Sequence, residues 1–153
     1  MTLNIREAVA DDLPQVLALY AQPGLDDGKV LDENQARAIH AQFAHYPNYR
    51  LFVASDAQAS HEIIGSYALL VMHNLAHMGT PSAIAEDVVV HEAKRSQGIG
   101  RELMAHALAQ AQAAGCYKLA LSSNKRRERA HAFYESLDFE RHGYSFVVDL
   151  QTL

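Results

Sequence analysis

The residues from Ala85 to Glu102 combine a short strand pattern, glycines and arginines as an anion-binding turn does. Val88 to Val90 is a β-branched run typical of a buried strand, and Gly98-Ile99-Gly100 opens a long helical pattern. The first amides of a helix have no internal partner and carry partial positive charge. Glycine lets a phosphate approach the backbone closely, and the flanking Arg95 and Arg101 add charged donors. The segment therefore predicts a phosphate site.

Two common phosphate motifs do not fit this turn. The lysine-containing P-loop is excluded because no Gly-Lys-Ser/Thr follows the glycines. The dinucleotide fingerprint is excluded because its third glycine falls on Leu103. The pattern that remains is Arg95-x-x-Gly98-x-Gly100, and the alternative to a ligand site is a glycine-rich turn that only caps a helix.

The elements that must position this turn alternate in type along the chain. One strand is followed by two helices, three strands, and then a helix, a strand, a helix and a final strand. This order predicts an α/β (α+β) fold with a mixed, mostly antiparallel sheet and helices on both faces. The predicted strands are residues 3–8, 50–55, 62–72, 84–90, 117–121 and 144–150.

The composition favours a single globular domain spanning residues 1–153, with a formal net charge of −5. This charge argues against a nucleic-acid partner. No signal peptide or long apolar span is evident, so we expect no membrane partner and a cytoplasmic location. Of the nine histidines, His73 and His77 have the spacing of a zinc helix. Asn74 replaces the catalytic glutamate of that motif, so no metal is expected.

Two ordered signatures carry a resemblance to a known family. Arg95-x-x-Gly98-x-Gly100 resembles the coenzyme A pyrophosphate loop of the GNAT superfamily of N-acetyltransferases. The segment from Ala132 to Phe139 resembles the Phe-Tyr-Glu-Lys-Leu-Gly-Phe stretch that closes many of these enzymes, with Asp138 in place of glycine. Gly115-Cys116-Tyr117-Lys118 lies between them. With the residues from Glu86 to Val90, it is similar to glucosamine-6-phosphate and aminoalkylphosphonate N-acetyltransferases.

The resemblance implies a GNAT fold with about six to seven strands and a V-shaped splay of the sheet at the cofactor site. It implies acetyl-CoA as cosubstrate, with its pantetheine arm paired along the opened strand and a backbone amide, predicted to be that of Val89, facing the thioester oxygen. Asn124 is expected on the other side of the arm, and Arg129 at the outer phosphates. The candidate cofactor-binding residues are Val88, Val89, Val90, Arg95, Ser96, Gln97, Gly98, Ile99, Gly100, Arg101, Asn124, Arg129 and Phe133.

The same resemblance makes Tyr134 the candidate general acid for the departing thiolate, because a phenol is protonated at neutral pH. The alternative is an aromatic side chain that packs beside Phe133. For the base, Glu86 and Asp87 are adjacent and would face opposite ways on a regular strand. Only one can then reach the acceptor amine, and we prefer Glu86, directly or through a water. Both residues are otherwise ordinary polar groups at a strand end.

The predicted function is acetyl transfer to a primary amine of a small molecule. The alternatives are a non-catalytic acyl-CoA-binding module and an N-terminal or lysine protein acetyltransferase. The narrower resemblance suggests an anionic acceptor, whereas the acidic loop with Asp26 and Asp27 favours a polyamine or another cation. A homodimer is expected as a hypothesis, because many relatives pair.

Overall fold

A five-stranded mixed sheet organises the first part of the chain in a computed structural model that describes residues 2–58 and 61–152. The strands lie in the order β1 to β5; the first four are antiparallel, and β5 is parallel to β4. They are β1 (Leu3–Glu7), β2 (Tyr49–Asp56), β3 (Ile63–Met72), β4 (Ser82–Val90) and β5 (Leu119–Ala120).

Four α-helices accompany the sheet in the described residues: α1 (Leu13–Tyr20), α2 (Glu33–Phe43), α3 (Ile99–Ala113) and α4 (Glu128–Glu135). The chain divides into two compact units, Met1–Ala120 and Leu121–Leu153. The first contains the sheet with α1 to α3, and the second contains α4. The mixed sheet and the alternation of element types confirm the predicted fold class.

The number of strands differs from the prediction. Five strands are present in the described residues, and residues 144–150, predicted as a terminal strand, form none. Their alternating apolar side chains are largely exposed, with Tyr144 and Phe146 each at 92%. A strand requires a hydrogen-bonded neighbour as well as a suitable pattern, and the pattern alone cannot supply one.

Helices cover both faces of the sheet, as predicted. On one face, Leu13, Val16 and Leu19 of α1 and Ala36 of α2 form a buried cluster with sheet residues that include Ala68. On the other face, α3 buries Ile99, Leu103, Met104, Ala107 and Ala111. Leu108, which fits the apolar stripe of that helix by its spacing, is instead exposed at 37%.

Short polar contacts fix where the helices begin and end. The Asp32 carboxylate accepts a hydrogen bond from the Gln35 amide at 3.1 Å and caps α2. The Asp12 carboxylate accepts from the Val9 amide at 2.8 Å and pairs with both Arg6 guanidinium nitrogens. This pairing holds the pKa of Asp12 below its usual value. Gly115, with φ 74°, ends α3 as predicted.

None of the helices described in this structure has the length and apolar character needed to cross a membrane.

Candidate active site

The predicted anion-binding turn is present at the start of α3. Gly98 has φ 86° and precedes the helix, and Ser96 also has a left-handed backbone, with φ 63°. A left-handed position is costly for residues with a Cβ atom, which explains the glycine at position 98. In the described part of the chain, the amides from Gln97 to Arg101 donate to no protein group, whereas the Gly98 carbonyl accepts from the Glu102 amide at 3.1 Å.

The ligand side of this turn is open. A Cβ atom built on Gly98 would have no other atom within 4 Å. Arg95, Ser96, Gln97 and Arg101 are exposed around it, whereas Ile99 points into the core at 1% exposure. Free amides, an open approach and two exposed guanidinium groups fit an anion. Ile99 can contribute its backbone amide, but its side chain serves packing.

The position of the turn is set by Gly65 of β3, where the strand closely approaches α3. A Cβ atom at this residue would lie 2.9 Å from Leu103 Cδ1 and 3.2 Å from Ile99 Cγ2. The absence of a side chain therefore lets the first turn of α3 pack directly onto the sheet.

The strand that leads to the turn is interrupted by a bulge at Asp87. Ser66 pairs with Val89 and Ala68 pairs with Glu86, so one more residue of β4 than of β3 lies between these pairs. Asp87 has φ 50°, as expected for a bulged residue in the left-handed region. The pairing of β4 with β5 includes only Ala83 and Ile84. The half-buried Val88, Val89 and Val90 of β4 form no pair with β5 in the described residues. This separation of the two strands agrees with the predicted splay of the sheet.

The bulge also changes the relation between the two candidate bases. Both Glu86 and Asp87 lie near enough to Tyr49 for their charges to raise the pKa of its phenol, after burial. Because Asp87 is the bulged residue, the strand is not regular at this pair, and the alternation behind the expectation that they face opposite ways does not apply here. Partial burial raises the pKa of Glu86, and the charge of Asp87 raises it further. Partial burial and Asp26 raise the pKa of Asp87.

Tyr20 of α1 and Gln22 of the following loop also lie at this site. The sequence pattern places them only on a helix face and in a loop. Burial raises the pKa of Tyr20, the nearby Ser66 hydroxyl lowers it, and the charges of Asp87 and Asp26 raise it again. The Gln22 side chain donates to the Val90 carbonyl at 3.4 Å and accepts from the Glu92 amide. These contacts join residues about 70 positions apart, so no local pattern could have identified them.

The remaining candidates lie in the second unit. Tyr134 packs between Phe133 and Phe139, with ring centroids 5.2 Å and 5.8 Å away. Burial raises the pKa of the Tyr134 phenol, and the Arg127 charge partly opposes this. Asp138 has φ 64°, and the Phe139 amide donates to the Tyr134 carbonyl at 3.2 Å. The aspartate therefore ends α4 as the family's glycine would.

The basic segment of the second unit is built around Asn124. Its side-chain oxygen accepts from the Arg126 amide at 3.0 Å, and its carbonyl accepts from the Arg127 amide at 2.9 Å. One side-chain role of Asn124 is therefore to form this turn, and its amide nitrogen has no protein acceptor in the described residues. Arg129 is exposed in the first turn of α4.

Other features of the first unit lie elsewhere. His77 packs against Tyr117 at 4.5 Å and begins a short 3-10 turn, so it shares no helix with His73. Within residues 2–58 and 61–152, no three His, Cys, Asp or Glu side chains are grouped to hold a metal. An open cavity of about 480 Å³ lies at the far end of α3, beside Gln110 and Ala113, and not at the glycine turn.

Comparison with known proteins agrees with the geometry. Residues 13–139 match the acetyltransferase (GNAT) family. The chain is 31% identical over 146 residues to the aminoalkylphosphonate N-acetyltransferase of Salmonella typhimurium, covering 94% of this chain and 89% of that protein. It is 32% identical over 93 residues to the glucosamine 6-phosphate N-acetyltransferase of Trypanosoma brucei brucei, which spans 61% of each protein.

A solved structure described as a transcriptional regulator from Bacillus halodurans is also similar. It superposes with a TM-score of 0.87 at 29% identity, covering 97% of this chain and 100% of that chain. The family match spans most of the chain and includes the glycine turn, the bulged strand and Tyr134. The chain therefore belongs to the GNAT family of acetyltransferases.

Proposed function

We propose that this protein transfers an acetyl group from acetyl-CoA to a primary amine of a small molecule. One observation carries the proposal: the left-handed Gly98 and the unpartnered amides from Gln97 to Arg101 lie at the end of a bulged strand with two exposed carboxylates. An anion site beside candidate bases suits a phosphate-bearing acyl donor and an amine acceptor.

The residues proposed to bind acetyl-CoA, the acetyl donor, fall into three groups. The amides from Gln97 to Arg101 would bind its diphosphate, with Arg95 and Arg101 as charged donors. The residues from Val88 to Val90 would pair with its amide arm, with the Val89 amide at the thioester oxygen. Asn124, Arg129 and Phe133 are proposed contacts from the second unit.

Acetyl transfer needs a base for the amine and an acid for the thiolate. The acceptor ammonium loses a proton to Glu86, directly or through a water, and the amine nitrogen then forms a bond to the thioester carbonyl carbon. The carbon–sulfur bond breaks, and Tyr134 gives its proton to the sulfur. The raised pKa of Glu86 brings it closer to neutral pH, which favours a base. The raised pKa of Tyr134 keeps the phenol protonated.

A second candidate is a non-catalytic acyl-CoA-binding module. It is favoured by the description of the similar Bacillus halodurans protein as a transcriptional regulator. Such a protein would bind acetyl-CoA as this one is proposed to, but it would transfer no acetyl group.

Thiol release from acetyl-CoA with a panel of primary amines, together with calorimetry of acetyl-CoA binding, separates the two. We expect binding and amine-dependent thiol release. Binding with no turnover for any amine would favour the module.

The Gly98→Ala change should weaken acetyl-CoA binding, since alanine is strained at φ 86°. Gly143→Ala is the matched control, because Gly143 has an open environment and an ordinary φ.

We further propose that the protein is a cytoplasmic homodimer. The exposed apolar run of residues 144–150 supports pairing, since large exposed apolar patches mark interaction sites.

A further inference from the structure

The side chain of Gln22 bonds backbone groups of three different elements of the first unit. Its Nε2 atom donates to the Leu19 carbonyl in the last turn of α1 at 2.9 Å, and to the Val90 carbonyl at the end of β4 at 3.4 Å. Its Oε1 atom accepts from the amide of Glu92, which begins the 3-10 turn Glu92–Lys94. Gln22 therefore uses both ends of its side-chain amide to hold the end of β4 and the following turn against α1.

The end of β4 has few other attachments. Val90 pairs with Gly65 of β3, and the His91 amide donates to the Ile64 carbonyl at 2.9 Å. The bulge at Asp87 interrupts this ladder shortly before these pairs. Along the described chain, no residue of β5 pairs with this part of β4 on its other side. Gln22 therefore supplies a second attachment to a strand end that the sheet holds on one side only.

The Val90 carbonyl that Gln22 contacts lies at the open edge of β4. The peptide bond between Val90 and His91 is trans, so its carbonyl and its amide hydrogen point in opposite directions. Because the His91 amide points towards β3, the Val90 carbonyl points away from β3, to the side on which β5 no longer pairs. The amide arm of acetyl-CoA is proposed to pair along this edge.

The 3-10 turn that Gln22 holds leads directly to the anion-binding turn. In it, the Lys94 amide donates to the His91 carbonyl at 2.8 Å, and the Ala93 amide donates to His91 Nδ1 at 3.2 Å. The Gln97 side chain donates back to the Ala93 carbonyl at 3.5 Å. A displacement of the 3-10 turn would therefore also displace Gln97, where the row of unpartnered amides begins.

We propose that Gln22 is a positioning residue for the acetyl donor. Its side-chain amide holds the end of β4 and the 3-10 turn in the one arrangement in which the arm and the diphosphate of acetyl-CoA are bound together. This inference rests on the proposed function. Gln22 passes no proton and forms no bond in the transfer, so its loss should weaken donor binding and leave the rate of transfer from bound donor unchanged.

The Gln22→Met change keeps the length of the side chain and removes both polar ends. We expect KM and the calorimetric Kd for acetyl-CoA to rise about five- to tenfold, as expected for the loss of such hydrogen bonds, with kcat unchanged at saturating acetyl-CoA. Gln22→Glu is a second variant. It keeps an oxygen for the Glu92 amide but directs another acceptor at the Leu19 and Val90 carbonyls, so it should also weaken donor binding.

Gln15→Met is the matched control. Gln15 also lies on α1, and its Oε1 atom accepts from the Ile63 amide at the start of β3 at 2.8 Å. The change therefore removes a bond of the same kind between the same helix and the sheet, without a contact to β4 or to the 3-10 turn. We expect both methionine variants to lower Tm, and only Gln22→Met to raise Kd for acetyl-CoA.

Three outcomes would overturn the inference while leaving the acetyltransferase proposal intact. They are an equal Kd in wild type and both Gln22 variants, the same rise of Kd in Gln15→Met as in Gln22→Met, and a fall of kcat at saturating acetyl-CoA as large as the rise of KM. A wild-type protein that binds no acetyl-CoA would instead overturn the proposed function, and the inference with it.

Discussion

Tyr134 is the residue on which proton delivery to the thiolate depends in the proposed reaction. The Tyr134→Phe change keeps the ring that packs against Phe133 and Phe139 and removes only the hydroxyl. We expect kcat to fall about 10²-fold or more, the usual contribution of a general acid, with acetyl-CoA affinity unchanged. Steady-state kinetics measure the first effect and calorimetry the second.

The control for this change is Tyr144→Phe, which removes the same hydroxyl from a residue that is 92% exposed. An unaltered kcat in Tyr134→Phe would leave Tyr134 with packing as its only role.

The direction in which activity changes with pH also follows from the protonation of Tyr134. Because the raised pKa keeps the phenol protonated, activity that requires it is lost as the pH rises through that pKa.

The carboxylates of Glu86 and Asp87 determine how kcat is expected to change on the acid side of the same pH profile. A protonated Glu86 cannot accept a proton, so kcat should fall as the pH falls through its raised pKa. The Asp87→Asn change removes a neighbouring negative charge, lowers the pKa of Glu86 and shifts the fall of kcat to lower pH. The Glu86→Gln change should abolish this dependence. An acid limb that stays in place in both variants would exclude Glu86 as the base.

For single residues, the sequence indicates which side chains belong to the candidate site but not which groups surround them. The spacing of Gly98 and Gly100 and the polar pair at positions 86 and 87 were sufficient to nominate them. The backbone geometry at Asp87, with φ 50°, was not evident, because aspartate tolerates both regular and left-handed conformations. The contacts of Tyr20 and Ser66 depend on strand pairing between distant segments. The roles of the nominated residues stay predictions.

Among the elements, the packing of α3 on β3 determines where the anion-binding turn lies. The Gly65→Ala change would place a methyl group 2.9 Å from Leu103 Cδ1 and 3.3 Å from the Val89 carbonyl oxygen. Overpacking of this kind costs about 1–3 kcal/mol. For a chain of this size, about 1 kcal/mol lowers Tm by roughly 2–4 °C. We expect a lower Tm, and weaker acetyl-CoA binding because the start of α3 must move.

Differential scanning calorimetry and titration with acetyl-CoA measure both effects. Gly143→Ala again serves as the control, since its added methyl group meets no atom within 4 Å. A Gly65→Ala protein with the Tm and affinity of wild type would show that the packing of α3 can adjust without cost.

The bounds of the strands could be predicted from the sequence more accurately than the neighbours with which the strands pair. Four of the six predicted strands appear close to the expected bounds. In β2, β3 and β4 the sheet buries a run of apolar residues, whereas β1 has no buried residue and is indicated only by alternation of its side chains. The strand predicted at residues 117–121 is reduced to Leu119–Ala120, and residues 144–150 form none. Residues 119–120 form the edge strand β5 of the sheet order, and edge segments depend on neighbours that periodicity does not reveal.

At the scale of the whole molecule, residues 144–150 form an exposed apolar segment. Tyr144, Phe146 and Val147 are each more than 90% exposed, and no strand of the described chain pairs with them. Alternating apolar residues that lack a partner are a template for pairing with another chain. We expect a homodimer in solution, with this run of residues in its interface.

Multi-angle light scattering of wild type and of a Phe146→Ser, Val148→Ser double variant checks this expectation. Loss of apolar contact area should convert a dimer to a monomer at micromolar concentration, with secondary structure unchanged by circular dichroism. The control is a double variant of two exposed apolar residues outside the run, Leu75→Ser and Met78→Ser, which should stay dimeric. A monomeric wild-type protein would remove the homodimer. Monomers in both double variants would indicate general destabilisation and place the interface elsewhere.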